Sequence, residues 1–119
     1  MRYEQRREFK IMFNITHDEI GNCKYARGFQ IEFANGYVLS VQFGAFNYCS
    51  NRDNTHWNDF VLTDKYSKCD NCETAIIKPN GRFLKYKGDD VQGWQTANDV
   101  AKAITFINSL ESNNYGRVA

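Results

Sequence analysis

Two segments of the chain carry side chains that could bind a small polar ligand. Residues 44–59, GAFNYCSNRDNTHWND, lack the alternation of a strand and combine aromatic rings with amides and basic groups. Those side chains belong to Phe46, Asn47, Tyr48, Asn51, Arg52, His56 and Trp57. Residues 88–96, GDDVQGWQT, add two carboxylates, the ring of Trp94 and two glycines that permit close backbone approach. Aromatic faces, a guanidinium and carboxylates are the groups that an adenine, a pyrophosphate and a ribose would require.

The same residues admit a structural interpretation. Phe46, Tyr48 and Trp94 could fill a small satellite core, and Arg52 could pair with Asp53 or Asp89. Asp89 and Asp90 could equally form a solvated turn. Both interpretations stay open at the level of the sequence.

Residues that could form a catalytic set are scarce. His17 and His56 lie in different predicted loops, and neither belongs to a spacing that positions a general base or a metal. Ser40 falls in a predicted strand with no nucleophile elbow around it. Asp89 and Asp90 are adjacent, so they lack the separation of an acid and base pair. We therefore predict that the protein is not an enzyme.

The four cysteines, Cys23, Cys49, Cys69 and Cys72, are predicted to be reduced thiols, because the chain shows no secretion signal. Cys69 and Cys72 have the C-x-x-C spacing of half a zinc site, which Cys49 or His56 could complete. The sequence contains no second pair of candidate ligands at a spacing typical of a zinc site. We therefore assign no metal and no cofactor, and expect plain loop or core cysteines.

Length and composition predict one domain. The chain has 119 residues, of which 42% are hydrophobic and 24% charged, and we expect a single domain over 1–119 with a frayed tail at 112–119. The net charge of +1 gives no field that would attract a DNA or RNA polymer or an anionic membrane. No apolar run reaches the roughly 20 residues of a membrane span, and no signal peptide is visible, so we expect a cytoplasmic protein.

Period-two alternation of apolar residues predicts three strands in the first half of the chain, within 8–16, 29–33 and 37–43. The alternating apolar positions are Phe9, Ile11, Phe13 and Ile15 in the first strand, Phe29, Ile31 and Phe33 in the second, and Tyr37, Leu39, Val41 and Phe43 in the third. Each strand is expected to bury one face.

The turn between the second and third strands follows from the register that buries both apolar sets. A two-residue Asn35-Gly36 loop would leave the two apolar faces on opposite sides of the ribbon. A three-residue loop over 34–36, a type I turn with Gly36 left-handed in a bulge, puts them on one face. Its pairs are Phe33 with Tyr37, Ile31 with Leu39, and Phe29 with Val41. We predict this bulged hairpin, which sends the loop that begins at Gly44 out of the far end of the ribbon.

The second half of the chain predicts another hairpin and a helix. Residues 72–78 and 82–87 flank the turn former Pro79-Asn80-Gly81. A helix follows Thr96, a good N-cap, with Asp99 at its third position. Its apolar stripe consists of Val100, Ala103, Ile104, Ile107 and Leu110. The predicted fold class is therefore α+β: an antiparallel β-sheet of five or six strands with a C-terminal α-helix packed on one face, and a short helical turn elsewhere.

The order of several short motifs resembles the first family of Thoeris anti-defence proteins. The motifs are FANGYVLSV at 33–41, E-x-A-I at 73–76, N-G within 79–82 and GDDVQGW at 88–94, followed by a closing helix. Members of this family are phage proteins that bind the glycocyclic ADP-ribose signal of bacterial Thoeris immunity and hold it without cleaving it. The resemblance implies the same role here, in the cytoplasm of the infected bacterial host.

The resemblance also implies a quaternary structure and a set of ligand contacts. The family forms homodimers whose two pockets are built from both subunits, and some members assemble into hexamers that also hold cyclic oligonucleotides at separate sites. The positions here that match the family's ligand-binding segments are Asn47, Tyr48, Arg52, Asp89, Asp90 and Trp94. Arginines of the C-terminal region are expected to reach the phosphates, whereas this helix offers Lys102 and the tail offers Arg117. A lysine would supply a point charge in place of a bidentate fork.

Two other functions stay open. A small phage inhibitor could bind a host defence protein through Phe46, Tyr48 and Trp57 as interface anchors. A weak phosphodiesterase could act on the same kind of signal.

Overall fold

The computed structural model describes residues 11–15, 27–54 and 68–111. Its elements, in chain order, are β1 (Met12–Ile15), β2 (Gly28–Glu32), β3 (Val38–Gln42), α1 (Ser50–Asn54), β4 (Cys72–Ile77), β5 (Phe83–Leu84), β6 (Val91–Gln95) and α2 (Ala97–Asn108). The strands form one six-stranded antiparallel sheet, and α2 packs against one face of it. The predicted α+β class is confirmed, and α1 is the short helical turn.

The sheet has the order β1-β2-β3-β4, and its last position is shared by two short strands. β3 pairs along β4 from Glu73 to Ile77, which leaves the opposite edge of β4 for β5 and β6. β5 pairs with the C-terminal end of β4, at Ile76 and Ile77, and β6 pairs with its N-terminal half. The chain from β5 to β6 therefore follows one edge, interrupted by a turn.

Both predicted hairpins are confirmed. In the β2–β3 hairpin, Phe29 pairs with Val41 and Ile31 with Leu39, which is the bulged register. The Gly36 N–H donates to the Phe33 carbonyl over 2.8 Å, and Gly36 has φ 90°. The β4–β5 hairpin repeats this geometry over 79–81, with a φ of 90° at Gly81 and a bond from its N–H to the Lys78 carbonyl.

Asn35 joins the first hairpin to the end of the helix. Its side-chain oxygen accepts a bond from the Tyr37 N–H, and its Nδ2 donates to the carbonyls of Ile107 and Leu110 over 2.8 and 3.1 Å. The last carbonyls of a helix have no partner within the helix. The hairpin loop therefore caps α2 at its C-terminus.

α2 begins with the predicted cap. The Thr96 hydroxyl accepts a bond from the Asp99 N–H, and the Asp99 carboxylate accepts one from the Thr96 N–H, which completes a capping box. This bond from the Thr96 N–H lowers the pKa of Asp99. The helix ends at Asn108, so Leu110 of the predicted stripe lies just beyond it and still packs against the core.

The core lies between α2 and the face of the sheet that it covers. Its buried residues are Phe33, Tyr37, Leu39, Val41, Cys72, Ile76, Ala103 and Ile107. The predicted burial of one face of the first strand is wrong for Ile11 and Phe13, which are both strongly exposed, because β1 is an edge strand while α2 packs over β3 and β6. Residues 8–10 and 16 of that predicted strand lie outside the described residues. Neither helix in the described ranges is long and apolar enough to cross a membrane.

Candidate functional site

The segment 88–96, predicted to be a candidate ligand-binding loop, forms a tight turn followed by β6. Tyr86 and Asp89 exchange backbone hydrogen bonds across Lys87 and Gly88, which both have positive φ, and Val91–Gln95 form β6. The turn has the geometry of a two-residue hairpin loop. Buried Gln92 fastens it, because its Nε2 donates to the carbonyls of Tyr86 and Asp89, both over 2.8 Å.

β6 contains a bulge at Gly93 and Trp94. Gln92 pairs with Thr74 and Gln95 with Cys72, so two residues of β6 stand opposite one residue of β4. Trp94 has φ 47°, a left-handed conformation that is a genuine outlier for a bulky residue. Its N–H donates a 2.9 Å hydrogen bond to the carbonyl of Tyr48. The bulge therefore connects β6 to the loop that follows β3.

Asn47 holds that loop in place. Its Oδ1 accepts a 2.7 Å bond from the Gly44 N–H, and its Nδ2 donates a 2.7 Å bond to the Glu73 carboxylate on β4. The loop also lies tightly against β6, since a Cβ added at Gly93 would come within 2.8 Å of the Tyr48 Cβ. The predicted ligand residue Asn47 is therefore engaged in fixing the loop over the sheet.

Three side chains gather where the loop meets β6: Tyr48, Arg52 and Trp94. Together with Phe46, whose backbone carbonyl binds Arg52, they are here called the aromatic cluster. The rings of Tyr48 and Trp94 have their centroids 5.8 Å apart at an interplanar angle of 33°. The Arg52 guanidinium carbon lies 4.7 Å from the centroid of the Tyr48 ring, and its Nη1 donates to the Phe46 carbonyl over 2.8 Å. Tyr48, Arg52 and Trp94, predicted from two separate segments, thus come together.

The aromatic cluster is on the surface. Phe46 is 60% exposed, Tyr48 46% and Trp94 51%. The alternative in which these rings fill a satellite core is therefore wrong. Arg52 donates to the Phe46 carbonyl and lies over the Tyr48 ring, where a pair with Asp53 or Asp89 was the alternative; the Asp53 side chain lies outside the described part of the chain. Aromatic rings held at half exposure beside a guanidinium can stack on a planar ligand and donate hydrogen bonds to an anion.

The remaining predicted site residues lie apart from the aromatic cluster. The Asp90 carboxylate is 3.7 Å from the Lys85 ammonium at the start of β6, and four residues of strand put it roughly 13 Å from Trp94. Asp89 is in the adjoining turn, and Lys102 is exposed on α2. Arg117, and also His56 and Trp57, lie outside the described residues.

A groove lies on the helix side of the sheet. It has a volume of about 470 Å³, and its lining includes the apolar residues Phe29, Val41, Phe43 and Val100 together with Cys69 and Cys72. Burial raises the pKa of Cys72 to about 11, and burial together with the nearby Cys69 raises that of Cys49 to about 11. These three cysteines are free, and the described ranges contain no cluster of three or more His, Cys, Asp or Glu side chains able to hold a metal.

Comparisons of the chain with protein-family models, with curated proteins and with solved structures found no match. The likeness to the Thoeris anti-defence family therefore rests on the motifs quoted above. Function has to be inferred from those motifs together with the geometry of the aromatic cluster.

Proposed function

We propose that the protein sequesters a cyclic nucleotide signal, glycocyclic ADP-ribose or a related molecule, by stacking its base on the aromatic cluster and holding it uncleaved. The observation that carries this proposal is the contact between the half-exposed Tyr48 and Trp94 rings, with the Arg52 guanidinium against the Tyr48 ring. Such a protein would act in the cytoplasm of an infected bacterium by removing the signal from a host effector.

Trp94 is the principal stacking surface in this proposal. Tyr48 has Arg52 against its ring, whereas Trp94 contacts Tyr48 at a tilt and keeps about half of its surface exposed. Stacking of a base on an aromatic side chain contributes about 1–3 kcal/mol. A left-handed tryptophan also has a cost of about 1–3 kcal/mol, and such strain is concentrated at functional sites. Retaining a strained tryptophan at the surface is consistent with a role in binding.

Arg52 would contact the phosphates. One of its guanidinium N–H groups is used on the Phe46 carbonyl, which orients the fork beside the rings. The guanidinium has five N–H donors in a planar arrangement suited to phosphate oxygens. A stacked base would thus lie next to a bidentate phosphate contact on the same surface.

In a homodimer, the predicted ligand-binding residues that lie far from the aromatic cluster of their own subunit could reach the aromatic cluster of the other subunit. Asp89, Asp90 and Lys102 do not reach the aromatic cluster of their own chain, and the family resemblance implies pockets composed from two subunits. We propose that these residues, with Arg117 of the tail, act from the neighbouring subunit on the ribose and phosphates. Light scattering with and without ligand gives the assembly, either the dimer or a hexamer.

The test is titration calorimetry of the purified full-length chain with cyclic ADP-ribose isomers and cyclic oligonucleotides, followed by mass analysis of the ligand released on heating. Binding with the ligand returned intact is the expected result. A ligand of altered mass would mean a phosphodiesterase, and absence of heat with every nucleotide would overturn the proposal.

A second candidate is a phage inhibitor that binds a host defence protein through the same surface. The high exposure of Phe46, which is on the same loop as the half-exposed Tyr48, favours it, because exposed aromatic side chains are typical anchors of protein interfaces. Retention of one host protein by the wild-type chain, lost on Phe46→Ala while nucleotides give no heat, would select this function.

A further inference from the structure

Three cysteines meet where the loop after β3 contacts the segment that leads into β4. Cys49 is fully buried directly before α1, and Cys72 is buried at the start of β4. Cys69 is partly exposed and lines the groove. The Cys49 thiol donates to the Gly44 carbonyl over 3.6 Å. Cys69 lies close to both other cysteines, since it contributes to the raised pKa of Cys49 and of Cys72. Its thiol and the N–H of Ser50, the residue after Cys49, both donate to the Asn71 Oδ1, over 3.7 and 2.7 Å.

Side-chain amides hold these two backbone segments together. Asn71 accepts a 2.7 Å bond from the Ser50 N–H and donates a 2.8 Å bond to the Ser50 hydroxyl. Asn51, which is buried, donates to the carbonyls of Phe43 and Lys68. The Cys69 thiol points to the same Asn71 oxygen, at 3.7 Å. The approach of Cys49 to Cys69 is thus part of a defined polar contact between the segments.

We propose that Cys69 is a redox modification site and that Cys49 is its resolving thiol, so that a small-molecule disulfide converts the pair into an internal Cys49–Cys69 disulfide. This cross-link would join the loop that carries Tyr48 to the segment before β4. It does not depend on the nucleotide-binding proposal, because it concerns the loop and not the ligand.

The reaction is a balanced thiol–disulfide exchange. The Cys69 thiolate attacks one sulfur of the small disulfide, forming a mixed disulfide and releasing one thiolate. The Cys49 thiol then gives its proton to solvent and attacks the Cys69 sulfur, which releases the second thiolate. The protein loses two hydrogens and is oxidised, and the small disulfide is reduced to two thiols.

The difference in exposure between the two thiols indicates that Cys69 reacts first and Cys49 second. Cys69 is the partly exposed thiol of the pair and borders a groove of about 470 Å³, whereas Cys49 is fully buried. A buried thiol with a pKa near 11 stays protonated at neutral pH and is a poor first nucleophile. Because the Ser50 N–H and the Cys69 thiol share the Asn71 oxygen, a local movement of the two segments suffices to bring the sulfurs to the bond length of about 2 Å. Cys72 lies in a strand paired on both edges, which makes it the less mobile partner.

The experiment treats the full chain with oxidised glutathione, blocks residual thiols by alkylation and maps the disulfides by peptide mass. We expect a Cys49–Cys69 linked peptide, a mass loss of two hydrogens, a higher melting temperature and full reversal by dithiothreitol. Cys69→Ala should abolish the link, and Cys23→Ala should leave it unchanged. Cys49→Ala should leave glutathione attached to Cys69.

Three results would overturn the inference: a Cys69–Cys72 link, a link formed equally in Cys69→Ala, or stable glutathionylation of Cys69 in the wild-type chain without an internal bond. Because Cys49 is fully buried, Cys49→Ala could fail to fold. Cys69→Ala, at a partly exposed position, keeps the test valid in that event.

Discussion

The backbone N–H of Trp94 donates a 2.9 Å hydrogen bond to the carbonyl oxygen of Tyr48. This bond crosses from the bulge of β6 to the loop after β3, over the end of β4 that lies between them. Trp94 has a left-handed φ of 47° at this contact, and the centroids of the two rings lie 5.8 Å apart. The surface that we propose as the ligand site therefore depends on one irregular residue.

Comparing Trp94→Gly with Trp94→Ala distinguishes the contribution of the indole ring to binding from the contribution of the backbone conformation to stability. Both changes remove the stacking surface and should weaken nucleotide binding by roughly 5- to 150-fold, the equivalent of 1–3 kcal/mol. Trp94→Gly should be more stable to urea than Trp94→Ala by about 1 kcal/mol, since only glycine adopts φ 47° without a steric penalty. Phe83→Ala is the control, because Phe83 is an equally exposed aromatic on β5. Undiminished binding by Trp94→Gly would rule out the aromatic cluster as the site.

Arg52→Lys tests the phosphate contact. Lysine keeps the positive charge but loses the planar fork and its stacking on the Tyr48 ring. We expect calorimetry to give weaker nucleotide binding by roughly tenfold, or about 1.4 kcal/mol, with an unchanged melting temperature, because Arg52 is exposed. Arg82→Lys, an exposed arginine at the β4–β5 hairpin, is the matched control. Equal losses in both variants would indicate a general charge effect.

Gly93→Ala should destabilise the fold. The added Cβ would lie 2.8 Å from the Tyr48 Cβ, so the loop must move, at a cost of about 1–3 kcal/mol. Tyr48→Gly removes the opposing Cβ, so Gly93→Ala should cost much less in that background than in the wild-type chain. The free energies of unfolding in a double-mutant cycle, measured by urea unfolding, should therefore be non-additive. Additive effects would mean that the loop does not press on Gly93.

How much could be predicted depends on whether a feature is local in the chain. Both hairpins and the start of α2 were predictable, because Asn-Gly turns, strand alternation and the Thr96–Asp99 capping box lie within a few residues. β6 was missed because Gly93 offers no side chain and the bulge at Trp94 breaks the period of two. The exposure of Phe13 and the contact between Tyr48 and Trp94 depend on how distant elements pack against each other. A local sequence pattern carries no information about that packing.

The two Asn-Gly hairpins form a matched pair for testing the helix cap. Asn35 and Asn80 each accept a bond from the N–H two residues on, but only Asn35 also donates to the carbonyls of Ile107 and Leu110. Asn35→Ala should therefore lower the free energy of unfolding by about 1–3 kcal/mol more than Asn80→Ala. Equal losses, measured by urea titration, would show that the loop contributes nothing to the end of α2.

The raised pKa values of Cys49 and Cys72 make a prediction for alkaline pH. Each thiol ionises at 9.0 when unfolded and at about 11 when folded, chiefly because burial disfavours the thiolate. The folded state therefore holds protons that the unfolded state has lost, so this contribution to stability is complete below pH 9 and disappears as pH rises to about 11. Urea unfolding as a function of pH should show this fall, and a Cys49→Ala, Cys72→Ala variant should lack it, which separates the thiols from tyrosine ionisation. An identical pH slope in the two proteins would mean that neither thiol is protected by the fold.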